Sequence, residues 1–296
     1  MEQRAVVTAG TGGIGLETAM GLAAHGLAVT VVGRDAERGA RAVERIAAVA
    51  TGGGPRFVSA DLASLGNVRA LAARLAADGP LKVLVNNVGA MFADRQQTVD
   101  GIEATFAVNH LSPYLLTELL LDQLREGAPS RIVNVSSGAI RVAKRTFDAV
   151  EPRGGYYGFH WYGRAKLANL VYTLDLADRL RDSGVAVFAA DPGGAATDMT
   201  NGTMTSPKIV SPALRLLWPL VRRTFERSTA GPASVAARSS VVAATDSSLD
   251  GQTGVLIGPE ARPVPVFRGS TDPGTVSDVL RLSRRLAPLG GERTTV

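Results

Sequence analysis

No cysteine occurs among the 296 residues, which excludes disulfides, thiolate zinc sites and cysteine nucleophiles together. Histidine is nearly as scarce: His25, His110 and His160 stand far apart, no H-E-x-x-H spacing exists, and no metal site is expected. Aromatics make up only 5% of the chain, and the densest basic clusters, "RRTFER" and "RLSRR", lack the interleaved rings that single-strand binders stack on bases, so no nucleic-acid partner is expected. The net charge is +5, but its 32 basic and 27 acidic residues are interspersed, a balance that suits anionic small ligands no less than nucleic acid. Long apolar runs are missing too: "YLLTELLLDQL" contains acids and falls short of a membrane span, so no integral membrane segment is expected. The start, "MEQR", runs straight into a strand-like stretch with no leader pattern, which reads as a cytoplasmic protein.

What is present is a rhythm. "AVV" from Ala5, "LAVTVVG" from Leu27, "RFVSA" from Arg56, "KVLVN" from Lys82, "RIVNVSS" from Arg131, "VAVFAA" from Val185 and "GVLIG" from Gly254 are apolar runs separated by helical patterns. The alternation predicts βαβ units: an α/β fold with a seven-stranded, doubly wound parallel sheet covered by helices on both faces. No linker, composition shift or repeat divides the runs, so residues 1–296 read as a single domain. Two segments break the rhythm: an irregular Arg/Lys/Gly-rich insert at 138–155, and an excursion from Gly193 to about Arg227 containing "ALRLLWPLV". Loops of such length are more often functional than mere spacers, and the second reads as a substrate lid; a partner-contact or membrane-surface helix is the competing reading. A short tail follows from about residue 259.

The chemistry should follow the strands directly, because in a doubly wound sheet ligands bind beyond the carboxyl ends. After the first run comes "TAGTGGIG", with Gly10, Gly12, Gly13 and Gly15 opening a helix. Glycines let a phosphate approach the backbone, and a helix N-terminus offers free N–H groups and partial positive charge, so the turn is a candidate pyrophosphate cradle. After the second run, Arg34 of "GRD" stands where an acidic residue would otherwise take the adenosine ribose 2′-hydroxyl. A guanidinium there suits a 2′-phosphate and so NADP over NAD, while Asp35 reads as the cap of the next helix. "ADL" after the third run offers Asp61 and Leu62 to the adenine end, with helix capping as the alternative role for Asp61; "NNVG" after the fourth offers Asn87 and Gly89.

The sharpest signal is "YGRAK", in which Tyr162 and Lys166 lie four apart on a predicted helix and share a face. A phenol with pKa about 10 exchanges protons poorly near neutrality, and a neighbouring ammonium would lower that value. "RIVNVSS" ends in Ser136 and Ser137, hydroxyls suited to holding a carbonyl oxygen. Upstream, Pro113 follows Asn109 by four residues, and proline's missing N–H leaves the Asn109 carbonyl without its helical partner, free to bind a water.

Taken in order, "TAGTGGIG", "NNVG", Asn109, "NVSS", "YGRAK" and "DPGGAAT" resemble the short-chain dehydrogenase/reductase family with its Rossmann fold. "NHLSPYLLTELLL", "YGRAKLANL" and the gap from Ser137 to Tyr162 are similar to its retinol-dehydrogenase-like branch. The resemblance runs from about Arg4 to Gly258. It implies Tyr162 as general acid/base, Lys166 tuning it and gripping the nicotinamide ribose, Ser137 positioning the carbonyl and Asn109 sustaining a proton relay. It also implies cofactor contacts from Gly10, Thr11, Gly13, Ile14, Gly15, Arg34, Asp61, Leu62, Asn87, Gly89, Tyr162, Lys166, Pro192, Gly193 and Thr197. Two departures stand out: Ala9 occupies the place of the first glycine of the family's turn, and "DPG" replaces the branch's "HPG".

The expectation is an oxidoreductase using NADP(H), with NAD(H) as the less favoured cofactor, that transfers hydride to or from the carbonyl or alcohol carbon of an apolar small molecule. Lid residues Met199, Met204, Leu214 and Trp218 point to the apolar partner. Rival readings are an NADP-sensing regulator without chemistry and an epimerase or dehydratase on the same scaffold. A homodimer or homotetramer would suit the small residues Gly158, Ala165 and Ala168, which burial within one chain would equally explain.

Overall fold

The computed structural model describes residues 2–151, 154–197 and 205–290. Every expected strand is there: β1 Arg4–Thr8, β2 Ala28–Gly33, β3 Arg56–Ser59, β4 Val83–Asn86, β5 Ser130–Val135, β6 Val185–Ala190 and β7 Val255–Ile257. They form one sheet in the order β3-β2-β1-β4-β5-β6-β7, all parallel, so the chain winds outward twice from β1.

An eighth strand, β8 (Pro263–Val264), pairs antiparallel with β7 and corrects the expected count of seven. Two exposed residues beginning on proline carry neither an apolar run nor an alternation to read.

Helices cover both faces. One layer holds α1 (Gly13–Ala24), α2 (Ala36–Ala47) and α8 (Ala233–Thr245). The other holds α3 (Leu65–Ala77), α4 (104–119), α5 (Leu121–Glu126), α6 (Gly158–Arg179) and α9 (Pro273–Leu286), while α7 (Trp218–Ser228) lies in the excursion after β6. Burial on both faces explains the uninterrupted apolar runs: in β1, Ala5 and Val7 enter one core cluster while Val6 enters the other. The stretch after 259 is more than a tail. Helix α9 buries Val279, Leu282 and Leu286 against the rest of the fold, and its Ser283 hydroxyl lies 2.6 Å from His110 Nε2.

Helix α4 is not regular. It opens into a π-helical turn over Ala107–Leu111 immediately before Pro113, so the missing proline N–H is accommodated by widening the helix around Asn109.

The turn from β1 into α1 is set by conformation and close approach. Ala9 has φ +50°, a left-handed geometry that disfavours any Cβ, and Gly13 has φ +51°. A Cβ on Gly15 would overlap the Ala9 carbonyl and the Asn87 side-chain amide, and one on Gly10 would sit 2.7 Å from Val31 Cγ1. Ala9 is therefore a strained residue where glycine would fit without cost. Ala9→Gly should raise stability by up to about 1 kcal/mol, the left-handed penalty less the extra unfolded-chain entropy of glycine, read as a higher urea midpoint. A lowered midpoint would show that the alanine backbone is unstrained.

Candidate active site

The carboxyl ends of β1 to β6 converge on one cavity of about 780 Å³. The structure brings to it Thr11, Gly13, Ile14, Gly15, Arg34, Asp61, Leu62, Asn87, Gly89, Ser137, Tyr162, Lys166, Pro192, Gly193 and Thr197. Gly10 and Asn109 stand behind the wall instead: neither lines the cavity, and both act through neighbours that do.

At one end lies the glycine turn. Gly12 caps α1 without any side-chain hydrogen bond, so the first-turn N–H groups are not taken up by a capping side chain. Asn87 ties the turn to β4: its side chain donates to the carbonyls of Thr8 (3.1 Å) and Ala9 (3.3 Å). Thr8 Oγ1 in turn accepts from the backbone N–H of Asn87 (3.0 Å) and Val88 (3.1 Å). Thr197 closes the turn from the other side, with its Cγ2 3.3 Å from where a Gly13 Cβ would lie.

Beyond β2, Arg34 has a companion that sequence reading passed over. Arg38 folds its guanidinium over Gly12, where a Cβ would meet Nη2 at 2.6 Å. The signal was present as a second arginine in the first turn of α2, four residues after Arg34, and the cap Asp35 accepts from the Arg38 N–H at 3.0 Å as expected. Asp61 does not cap α3: its Oδ1 accepts from Ala63 N–H (3.1 Å), and Ser64 is the cap.

Tyr162 and Lys166 form the floor. Lys166 is buried and donates to the carbonyls of Val88 (3.1 Å) and Val135 (2.9 Å), which anchors α6 to the ends of β4 and β5. Burial lowers its pKa to about 7. The phenol is also buried, and burial pushes it up to about 12, countered by a hydrogen bond with Ser137 and reinforced by the charge of Asp191. The expectation that Lys166 lowers the phenol is thus not met within the protein alone. The amine lies 5.9 Å from the ring centroid and is engaged with carbonyls, and desolvation outweighs its attraction.

Asn109 reaches the site indirectly. Its side chain accepts from Ala90 N–H (3.1 Å) and donates to the carbonyls of Ala90 and Thr105 (both 2.7 Å), fixing the segment after β4. Gly89 packs beside Asn109 and Lys166: a Cβ there would lie in ordinary contact, 3.5 Å from Asn109 Oδ1 and 3.7 Å from Lys166 Nζ.

The insert at 138–155 is held by a residue no motif flagged. Arg164, fully buried on α6, donates to the carbonyls of Thr146 (2.9 Å), Ala149 (2.8 Å) and Val150 (3.0 Å). Its guanidinium lies between the rings of Phe106 and Phe147, at 4.8 and 4.7 Å. Within "YGRAK" it looks like a helix-surface arginine; only the fold reveals the three carbonyls.

The lid is partly as expected. On α7, Trp218, Val221 and Phe225 face inward with Phe159 and Ile209 against Tyr162, whereas Leu214 points outward. Helical spacing explains the split, because 218, 221 and 225 share one face. Met199 and Met204 lie outside the described residues. Gly158, Ala165 and Ala168 are buried within the chain, and a Cβ on Gly158 would strike the Phe92 carbonyl.

The family model described as short chain dehydrogenase matches residues 3–207. The chain belongs to this family. Mouse retinol dehydrogenase 12 is 37% identical over 227 residues, covering 76% of this chain and 69% of that protein. Zebrafish (Danio rerio) polyprenol dehydrogenase is 35% identical over 260 residues, covering 86% and 77%. Among solved structures, the Pseudomonas aeruginosa RhlG/NADP active-site complex is similar with a TM-score of 0.66 at 26% identity, covering 88% of this chain and 95% of that one. The chain is therefore a short-chain dehydrogenase/reductase of the retinol-dehydrogenase-like branch, an oxidoreductase acting on CH–OH or C=O groups with a nicotinamide cofactor.

The residues present fit such a dinucleotide. Gly10 and Gly15 admit no Cβ, Gly13 is left-handed, two arginines stand beyond β2, and buried Ser136 Oγ at the cavity wall has no protein partner among the described residues.

Removing Arg164 would leave three carbonyls of the insert without their donors and remove a positive charge that favours the ionised form of buried Glu103. Arg164→Met should cost roughly 3 kcal/mol in urea unfolding, and Arg164→Lys should recover little, because one ammonium cannot span the fork's three acceptors. Full recovery by lysine would show that charge alone matters.

Proposed function

We propose that the chain is an NADP(H)-dependent carbonyl reductase or alcohol dehydrogenase for an apolar small molecule, with Tyr162 as general acid/base. The observation that carries this reading is the convergence of Tyr162, Ser137 and, one helical turn on, Lys166 on the same cavity as the glycine turn, Arg34 and Arg38. The nicotinamide, when bound, supplies or accepts the hydride and in its oxidised form adds a positive charge.

In the reducing direction the Tyr162 hydroxyl gives its proton to the substrate oxygen. Ser137 donates a hydrogen bond to the same oxygen and so holds it within reach of the phenol. Lys166, whose pKa of about 7 allows it to gain and lose a proton near neutrality, restores the phenol's proton. Asn109 keeps the backbone beside that amine in place through Ala90. Arg34 and Arg38 provide two guanidinium groups for a 2′-phosphate, and the NADP complex of the similar P. aeruginosa structure accords with that choice.

The substrate end is apolar: Met91, Phe159 and Phe225 line it, with Trp218 packed behind. The names of the relatives, retinol and polyprenol dehydrogenases, denote apolar alcohols and support a substrate of that class.

Tyr162→Phe should lower kcat for ketone reduction at least ~100-fold while leaving NADPH affinity within a few-fold, measured by nicotinamide absorbance and fluorescence titration. Turnover close to the parent's would overturn the acid/base assignment. Arg34→Asp should shift the NADP/NAD ratio of kcat/KM at least ~10-fold toward NAD, on the loss of charge-assisted bonds to phosphate. An unchanged ratio would remove Arg34 from the 2′ site.

A further inference from the structure

The outer side of the excursion after β6 presents a patch that the chemistry above does not use. Leu216, Leu217 and Leu220 are 86%, 53% and 65% exposed, and Leu214 is exposed beside them. They stand at the turn Pro212–Arg215 and the start of α7, opposite the inward face of Trp218, Val221 and Phe225. Arg223 and Arg227 lie on the exposed side of the same helix and have no ion-pair partner among the described residues, whereas Arg222 is neutralised by Glu226 at 2.7 Å. Across residues 205–228 there are five basic side chains (Lys208, Arg215, Arg222, Arg223, Arg227) and one acid (Glu226), a net charge of +4 for the segment, lowered to +3 locally because Lys208 pairs with Asp94 at 3.2 Å.

We propose that this face docks on an anionic lipid surface, with α7 lying in the plane of the interface. Apolar side chains flanked by arginines are the combination such a surface binds: the leucines enter the acyl boundary and the guanidinium groups stay among the phosphates. The helix is 11 residues long and no helix among the described residues is long and apolar enough to cross a membrane, so the contact is peripheral. A second copy of the chain is a poorer occupant, because a two-fold contact would bring this cationic patch against itself. The inward face of the same helix covers the cavity beside Tyr162, with the Phe225 ring tilted against Phe159 at 4.9 Å between centroids. Docking therefore sets the mouth of the apolar end toward the bilayer, where a lipid alcohol or aldehyde would be dissolved. That last step rests on the proposed function; the docking does not.

The test is co-sedimentation of the full chain with vesicles of phosphatidylcholine alone and with about 30 mol % phosphatidylserine. Binding to the anionic vesicles, weakened by salt, is expected. Leu216→Ser/Leu217→Ser/Leu220→Ser and, separately, Arg223→Glu/Arg227→Glu should each reduce partitioning at least ~10-fold. All five positions are exposed, so circular dichroism melts should match the parent's. Absence of binding to anionic vesicles at low ionic strength would overturn the proposal, as would binding that either variant leaves unchanged. Conversion of an oligomer to monomers by the leucine variant, seen by light scattering, would assign the patch to a second copy instead. None of these readouts depends on turnover, so the oxidoreductase reading stands or falls separately.

Discussion

A single buried amine organises the carboxyl edge of the sheet. Lys166 bonds to the backbone carbonyls that end β4 and β5, and in doing so fixes the height and rotation of α6 against two strands. Tyr162 sits one turn before it and inherits that placement. The energetic consequence is mutual: burial that lowers the amine to about 7 also raises the phenol to about 12. The protein alone therefore holds the phenol neutral and brings the amine to where it gains and loses its proton near neutrality, and a positive charge brought in beside them acts on a poorly screened phenol.

Around this pair the supporting bonds are made by amides rather than charges. Asn86 donates to Thr117 and to Asn134, both at 2.8 Å, and Asn134 donates to Thr173 at 2.9 Å, a buried chain that joins β4, β5, α4 and α6. Asn87 and Asn109 repeat the device at the glycine turn and at Ala90. Neutral amides can be buried with far less desolvation cost than carboxylates and still offer donors and acceptors together. Buried cations are fewer and answered by carbonyls, as with Arg164, whose burial lowers it to about 10 despite the attraction of Glu103.

Much of this was legible in the sequence for a simple reason. Strands buried on both faces are mostly apolar, so β1, β2, β5 and β6 announced themselves. The four-residue spacing of Tyr162 and Lys166 placed them on one helix face whatever surrounds it. Contacts made across the sheet left no such trace. Arg38 over Gly12, Arg164 beneath the insert and His110 against Ser283 join residues whose partners are set by packing, and β8, two exposed residues long, is too short to carry a period. The lowering of the phenol by its lysine is not met within the protein alone, because spacing gives proximity but not desolvation.

By itself the sequence determined the order of strands and helices, the family and the set of side chains gathered at the sheet's carboxyl edge, since hydrophobic periodicity and turn chemistry are local properties. Tertiary structure alone decided which groups titrate and in which direction, which loop each buried guanidinium restrains, and which side of α7 faces the cavity. Those depend on what water is excluded and on partners far apart in the chain, and no local pattern encodes either.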